Sequence, residues 1–129
     1  MPLVRIDVQQ GRSPEELRKL ADVVQDVMLD VFAAPERDRY QIITEHPVGH
    51  IIAEDTNLGL VRTDGLVVLQ IFQQGRSTDQ KKTAYAHLAE RLEAECGVRP
   101  ADLIISVMAN THADWSFGLG RAQFLEGDL

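Results

Sequence analysis

The pentapeptide QQGRS occurs twice in the chain, at residues 9–13 and again at residues 73–77, an offset of 64 residues. An apolar run typical of a β-strand precedes each copy, at residues 3–8 and 66–72. The serine of each copy begins a capping box, with Glu or Gln three residues later, in front of a helical pattern. This agreement of pentapeptide, caps and element order predicts an internal duplication of one strand-helix-strand unit.

Each repeat unit continues with a helix and a second strand. Apolar residues recur at helical spacing from Leu17 until Pro35, and a second helical face runs until Gly97 and Pro100 end it. Residues 45–65 are rich in turn-forming residues and lack periodicity, so we expect loops there, with a short hairpin as an alternative. The second and fourth strands are predicted at residues 39–44 and 103–108.

Two such units related by a local twofold predict an α/β (α+β) fold. Each helix makes a right-handed crossover between parallel strands, and the two first strands pair antiparallel at the centre of a four-stranded mixed sheet. We predict one domain over residues 1–129, with repeat units of about 2–45 and 66–109 and a C-terminal tail of 110–129. Both helices are expected on one face of this sheet, which leaves the other face uncovered. We therefore expect the chain to oligomerise through that other face.

The composition argues against several classes of function. The formal net charge is −7, which argues against nucleic acid or an anionic membrane as partner, although a small anionic substrate remains open. The longest uncharged apolar run, residues 66–72, is too short to span a bilayer, and no secretory signal opens the chain. The single Cys96 forms no internal disulfide, which fits a cytoplasmic location. The four histidines show no metal-ligand spacing.

Pro2 is the residue with the most distinctive chemistry. Removal of Met1 would leave it a free secondary amine, able to act as base, proton donor or nucleophile. In the predicted sheet the start of the first strand lies beside the end of the third, which places Pro2 near Gln74 and Arg76. Asp38 precedes the parallel second strand and lies at the same edge. The counterpart of Pro2 in the second unit is an internal leucine, so one site per chain is expected.

Several of these residues have structural interpretations as well. Asp38 is repeated as Asp102 and Arg76 as Arg12, so each is also interpreted as a cap or turn residue of the duplicated unit. The glycine-rich tail contains three aromatic residues that either clasp the body or wall a pocket. These are Trp115, Phe117 and Phe124.

The chain resembles the tautomerase superfamily, whose members use an amino-terminal proline on duplicated β-α-β units, and within it the malonate semialdehyde decarboxylases. The resemblance implies a homotrimer, no cofactor or metal, and catalysis by Pro2 and Asp38 with arginines that hold the substrate carboxylate. The decarboxylase pattern has a pair of arginines after the third strand, and here Gln74 replaces the first and leaves Arg76 alone. The resemblance rests on Pro2, residues 38–41, 54–56, 58–59, 76–77, 80–81 and 113–118.

This resemblance favours loss of CO₂ from malonate semialdehyde to give acetaldehyde, with hydration of alkynoic acids as a side activity. Pro2 would donate a proton to the aldehyde oxygen or form an iminium, and Arg76 would orient the carboxylate. Asp38 would hold the Pro2 proton or position a water, and the three tail aromatics would offer CO₂ an apolar exit. Two alternatives stay open: keto–enol tautomerisation of an α-keto acid with Pro2 as base, and a non-catalytic interaction module if Met1 is retained.

Overall fold

The computed structural model describes residues 2–129. It contains a strand, a helix and a strand, then the same three elements again, and a short helix in the tail. The elements are β1 (Leu3–Gln9), α1 (Pro14–Phe32), β2 (Tyr40–His46), β3 (Val67–Gln74), α2 (Thr78–Cys96), β4 (Leu103–Asn110) and α3 (Gln123–Glu126), with 3₁₀ turns at Pro100–Asp102 and His112–Asp114.

Both helices begin with the predicted capping boxes. The Ser13 hydroxyl accepts from the Glu16 N–H at 3.1 Å, and the Ser77 hydroxyl accepts from the Gln80 N–H at the same distance. α1 ends earlier than the Pro35 signal indicated, because Ala33 adopts the left-handed conformation that closes the helix.

The four strands form one mixed sheet in the order β2-β1-β3-β4. β1 pairs parallel with β2 and antiparallel with β3, and β3 pairs parallel with β4, as the duplication predicted. The alternative of a short hairpin between β2 and β3 is wrong. Residues 47–66 contain turns and bends without strand pairing. Side chains provide hydrogen-bond partners for the backbone of this loop; for example, the Asp55 carboxylate accepts from the Gly59 N–H at 3.1 Å.

The core lies between one face of the sheet and both helices. Alternate residues of the central strands, among them Val4 and Leu69, are buried against apolar residues of α1 and α2. The opposite face carries Ile42 and Tyr40, which are 46% and 37% exposed. Within residues 2–129 both long helices pack on the first face, and none of the helices is long and apolar enough to cross a membrane.

Candidate active site

Three of the predicted site residues lie at one edge of the sheet. β1 and β2 begin at this edge, and β3 and β4 end there, since Leu3 pairs with both Tyr40 and Phe72. Pro2 directly precedes β1 and is buried. Asp38 lies two residues before β2, and Gln74 is the last residue of β3. The strand register therefore places these three residues at the same edge.

Asp38 is held in the connection between α1 and β2. Its backbone N–H donates to the Pro35 carbonyl at 3.2 Å, and the neighbouring Arg37 has a left-handed backbone with φ of 65°. The residue is only 6% exposed. Burial raises the pKa of the Asp38 carboxyl above its ordinary value of 3.8, and the positive charge of Arg76 acts in the opposite direction. Asp38 is thus a carboxyl that burial makes easier to protonate than an exposed aspartate.

Arg76 follows β3 and is partly buried. Its Nη1 donates to the Gln74 carbonyl at 2.9 Å, and its guanidinium lies 5.8 Å from the centre of the Phe32 ring. Within residues 2–129 its buried Nε has no hydrogen-bond partner, and neither does the buried Oε1 of Gln74. These two side chains therefore offer a donor and an acceptor at the same sheet edge.

The C-terminal tail crosses this edge from one outer strand to the other. It leaves β4 at Asn110, whose Oδ1 accepts from Trp115 Nε1 at 2.9 Å. Trp115 stacks on Phe117 with ring centres 5.3 Å apart, Phe117 meets Phe124 edge-on at 5.6 Å, and Phe117 stacks on Tyr40 of β2 at 5.5 Å. Trp115 and Phe117 thus clasp the tail to the two outer strands, and Phe124 packs against Phe117.

A cavity of about 350 Å³ opens beside this aromatic cluster. Asp38 and Phe117 line it, whereas Pro2, Gln74, Arg76, Trp115 and Phe124 do not. The sequence did not predict the other seven lining residues as site residues, because their placement depends on the path of the tail and on the strand register. The full lining is residues 35–38, Tyr40, Phe117, Gln123, Asp128 and Leu129.

The matching position in the other repeat unit is filled by internal contacts. Asp102 accepts from the Thr63 N–H at 2.7 Å and from the Thr63 hydroxyl at 2.5 Å. Arg12 donates from Nη2 to the Gly65 carbonyl at 2.9 Å. The structural interpretation therefore holds for Asp102 and Arg12, whose polar groups serve the loop that precedes β3.

Among residues 2–129 no group of three or more histidine, cysteine, aspartate or glutamate side chains could hold a metal ion. Burial raises the pKa of the Cys96 thiol, which keeps it in its less reactive protonated form.

Comparison with known proteins decides the family. The sequence profiles of two families described as tautomerase enzymes match residues 38–118 and residues 2–60. A probable tautomerase of Bacillus subtilis (strain 168), YrdN, is 52% identical over 129 residues, which is all of both chains. The chain belongs to the tautomerase family of enzymes. A second probable tautomerase of that organism, YusQ, is 37% identical to this tautomerase family member over 98% of the chain and 100% of its own length.

Solved structures add detail on the fold of this tautomerase family member. A malonate semialdehyde decarboxylase, described with decarboxylase and hydratase activities, superimposes with a TM-score of 0.94 at 41% identity, covering 98% of both chains. The FG41 malonate semialdehyde decarboxylase inhibited by 3-bromopropiolate gives the same TM-score at 43% identity over 98% of this chain and 97% of its own. A fused 4-OT symmetric trimer, 17% identical over 97% and 98% of the two chains, shares the fold with a TM-score of 0.79.

Proposed function

We propose that this tautomerase family member decarboxylates a small β-oxo acid, converting malonate semialdehyde and a proton into acetaldehyde and CO₂. The bond between the carboxylate carbon and the central CH₂ breaks, and its electron pair flows toward the aldehyde carbonyl. A proton then adds to the central carbon. The reaction releases CO₂ and uses no oxidant or reductant.

The observation that carries this proposal is a cavity lined by both a buried carboxyl, that of Asp38, and the aromatic ring of Phe117, which contacts Trp115 and Phe124. An apolar wall formed by Trp115, Phe117 and Phe124 disfavours a carboxylate relative to neutral CO₂, so it promotes loss of the charged group. The likeness to two malonate semialdehyde decarboxylases over nearly the whole chain supports the same reaction.

The amine of processed Pro2 is the proposed electron sink. As a protonated amine it donates to the aldehyde oxygen, and as a neutral amine it forms an iminium that withdraws the electron pair. Asp38 holds the proton of Pro2 or positions a water, a role that suits a buried carboxyl whose pKa is raised. A positioned water would also account for hydration of alkynoic acids as a side activity.

Arg76 is the proposed anchor of the substrate carboxylate. Its guanidinium is fixed by the Gln74 carbonyl and the Phe32 ring, so it presents its remaining donors in one orientation. Gln74, where the decarboxylase pattern has a second arginine, contributes a neutral carboxamide. We expect weaker substrate anchoring and a more readily protonated Pro2 than two arginines would give.

Keto–enol tautomerisation of an α-keto acid is the second candidate. The relative that is 52% identical carries the name probable tautomerase, and this reaction needs the same amine. Here Pro2 acts as a base that removes a proton from carbon, so it must be largely neutral at the working pH.

We further propose that the protein works as a homotrimer in the cytoplasm, built through the sheet face that the helices leave uncovered. Ile42 and Tyr40 are partly exposed on that face, and a trimer of the same fold exists among the structural neighbours.

The substrate assay is the test of the proposed reaction. Purified, untagged protein is incubated separately with malonate semialdehyde and with the enol form of an α-keto acid, and products are followed by proton NMR and CO₂ release. Acetaldehyde and CO₂ in equal amounts are expected from the first substrate. Rapid ketonisation of the second substrate, with malonate semialdehyde left unchanged, would overturn the decarboxylase proposal in favour of the tautomerase.

A further inference from the structure

Two glutamines occupy matching positions in the repeat units, one at the end of β1 and the other near the end of β3. Gln9 is 3% exposed and Gln73 is 1% exposed, so both carboxamides are inside the protein. Gln9 Nε2 donates to the Asp64 carbonyl at 3.2 Å, and its Oε1 accepts from the Gly49 N–H at 2.6 Å. Both ends of the Gln9 carboxamide are satisfied by the loop between β2 and β3.

Gln73 differs sharply from its twin. Within residues 2–129 neither its Oε1 nor its Nε2 has a hydrogen-bond partner. Buried carboxamides without partners are rare, and they point to a group that the side chain meets in the working protein.

The sheet register identifies that group. Leu3 pairs with Phe72 in the antiparallel ladder, so the next pair outward is Pro2 with Gln73. Side chains two residues apart in a strand point to the same face of a sheet. Gln73 lies two residues after buried Ile71, and Pro2 lies two residues before buried Val4, so both lie toward the helix face. Directly opposed side chains of an antiparallel pair have Cβ atoms about 5 Å apart, within reach of a glutamine side chain.

Pro2 gains a donor only when Met1 is removed. While Met1 is attached, the Pro2 nitrogen belongs to a tertiary amide and has no hydrogen to offer. The processed amine carries N–H groups, and when protonated it forms charge-assisted hydrogen bonds, which are the stronger kind. A carboxamide oxygen with no other partner is a suitable acceptor for it.

We infer that Gln73 is a positioning residue for Pro2, its Oε1 accepting a hydrogen bond from the processed, protonated amine. The inference rests on the proposed function, since it takes Pro2 as the working group. The hydrogen bond orients the pyrrolidine nitrogen toward the substrate and raises the pKa of the amine. The charged groups near this edge are Asp38 and Arg76, with Glu36, Arg37 and Asp128 around the adjoining cavity.

The test compares Gln73→Met with the matched control Gln9→Met, each a neutral replacement that leaves those charged groups in place. The protein is labelled with ¹⁵N-proline, and the Pro2 nitrogen is titrated by NMR without substrate. Loss of a charge-assisted hydrogen bond lowers the pKa of the amine by about one pH unit in Gln73→Met. Gln9→Met is expected to melt at a lower temperature than wild type with the pKa of the amine unchanged.

A pKa of the Pro2 amine equal to that of wild type in Gln73→Met, or an equal shift in both variants, would overturn the inference. So would a Pro2 that retains Met1 and shows no titrating amine. If Gln73→Met fails to fold, Gln73→Leu provides the same comparison. Because the titration needs no substrate, its result stands apart from whether malonate semialdehyde is decarboxylated.

Discussion

Matching residues of the two repeat units have different surroundings. Asp102 is fully engaged by Thr63, whereas its counterpart Asp38 lies beside a cavity with a raised pKa. Arg12 binds the Gly65 carbonyl, and its counterpart Arg76 keeps a buried Nε without a partner among residues 2–129. The side chains of Asp102 and Arg12 are thus engaged by the loop before β3, whereas Arg76 keeps a donor for another group at the proposed site.

The raised pKa of Asp38 has a consequence for stability. A carboxyl whose pKa is higher in the folded protein favours folding when protonated and opposes it as the pH rises above its ordinary 3.8 through the folded value. We therefore expect Asp38→Asn to raise the melting temperature at pH 7 and to change it little below pH 3.8, while lowering turnover. Calorimetry at the two pH values checks this, and an equal effect at both would contradict it.

The paired arginines allow a matched test of substrate anchoring. Loss of the guanidinium in Arg76→Ala should lower kcat/KM for malonate semialdehyde about 10- to 100-fold, the equivalent of losing a charged hydrogen bond. Arg12→Ala loses its contact with the Gly65 carbonyl and should lower stability by about 1 kcal/mol while leaving kcat/KM unchanged. Steady-state kinetics on both variants would refute the anchoring role if the two losses in kcat/KM were alike.

Secondary structure was predicted well where residues close together in the sequence determine it. The capping boxes at Ser13 and Ser77 and the alternation of β3 placed helices and strands within a few residues of their observed bounds. The end of α1 was less predictable, because Ala33 adopts a left-handed conformation that Gly97 occupies at the matching position of α2.

The loop and the tail were harder to predict for a physical reason. Arg62 Nη1 reaches the Ala101 carbonyl at 2.6 Å across 39 residues, and such long-range contacts leave no periodic pattern. The path of the tail likewise depends on the long-range contact between Phe117 and Tyr40. The sequence therefore indicated the aromatic residues of the tail but not that Gln123 and Leu129 line the cavity. The edge itself was predictable because strand order follows from the duplication.

Phe117 links the tail to the sheet, and its removal should affect the proposed reaction. Its ring contacts Trp115, Phe124 and Tyr40, so Phe117→Ala loosens the apolar wall. We expect kcat/KM for decarboxylation to fall about tenfold, which corresponds to about 1.4 kcal/mol. Leu125→Ala is the control, since that side chain is in the same tail and 63% exposed. Equal kinetics for the two variants would show that the aromatic wall has no part in turnover.

In the whole molecule, as described from residue 2 to residue 129, both long helices cover the same face of the sheet. The uncovered face of a small sheet exposes apolar residues that a neighbouring subunit can bury, which is the basis of the proposed trimer. Because the net charge of the chain is −7, the proposed anionic substrate would depend on the local positive charge of Arg76.

The proposed trimer is tested by placing a charge on this face. Wild type should show a mass three times that of the 14.4 kDa chain by light scattering. Ile42→Glu should reduce that mass, because a carboxylate would be buried between subunits. Leu119→Glu, at a position 93% exposed in the tail, should leave it unchanged. A wild-type mass of a single chain would contradict the proposal.

The rate of acetaldehyde formation by Pro2→Ala tests whether the amine of Pro2 performs the proposed reaction. Intact mass first establishes that wild type and variant both lack Met1. We predict that the variant loses about 10²- to 10⁴-fold in rate, the range for removal of a positioned acid–base group, while its melting temperature stays close to that of wild type. An equal rate of malonate semialdehyde turnover in wild type and Pro2→Ala would show that the amine has no part in the reaction.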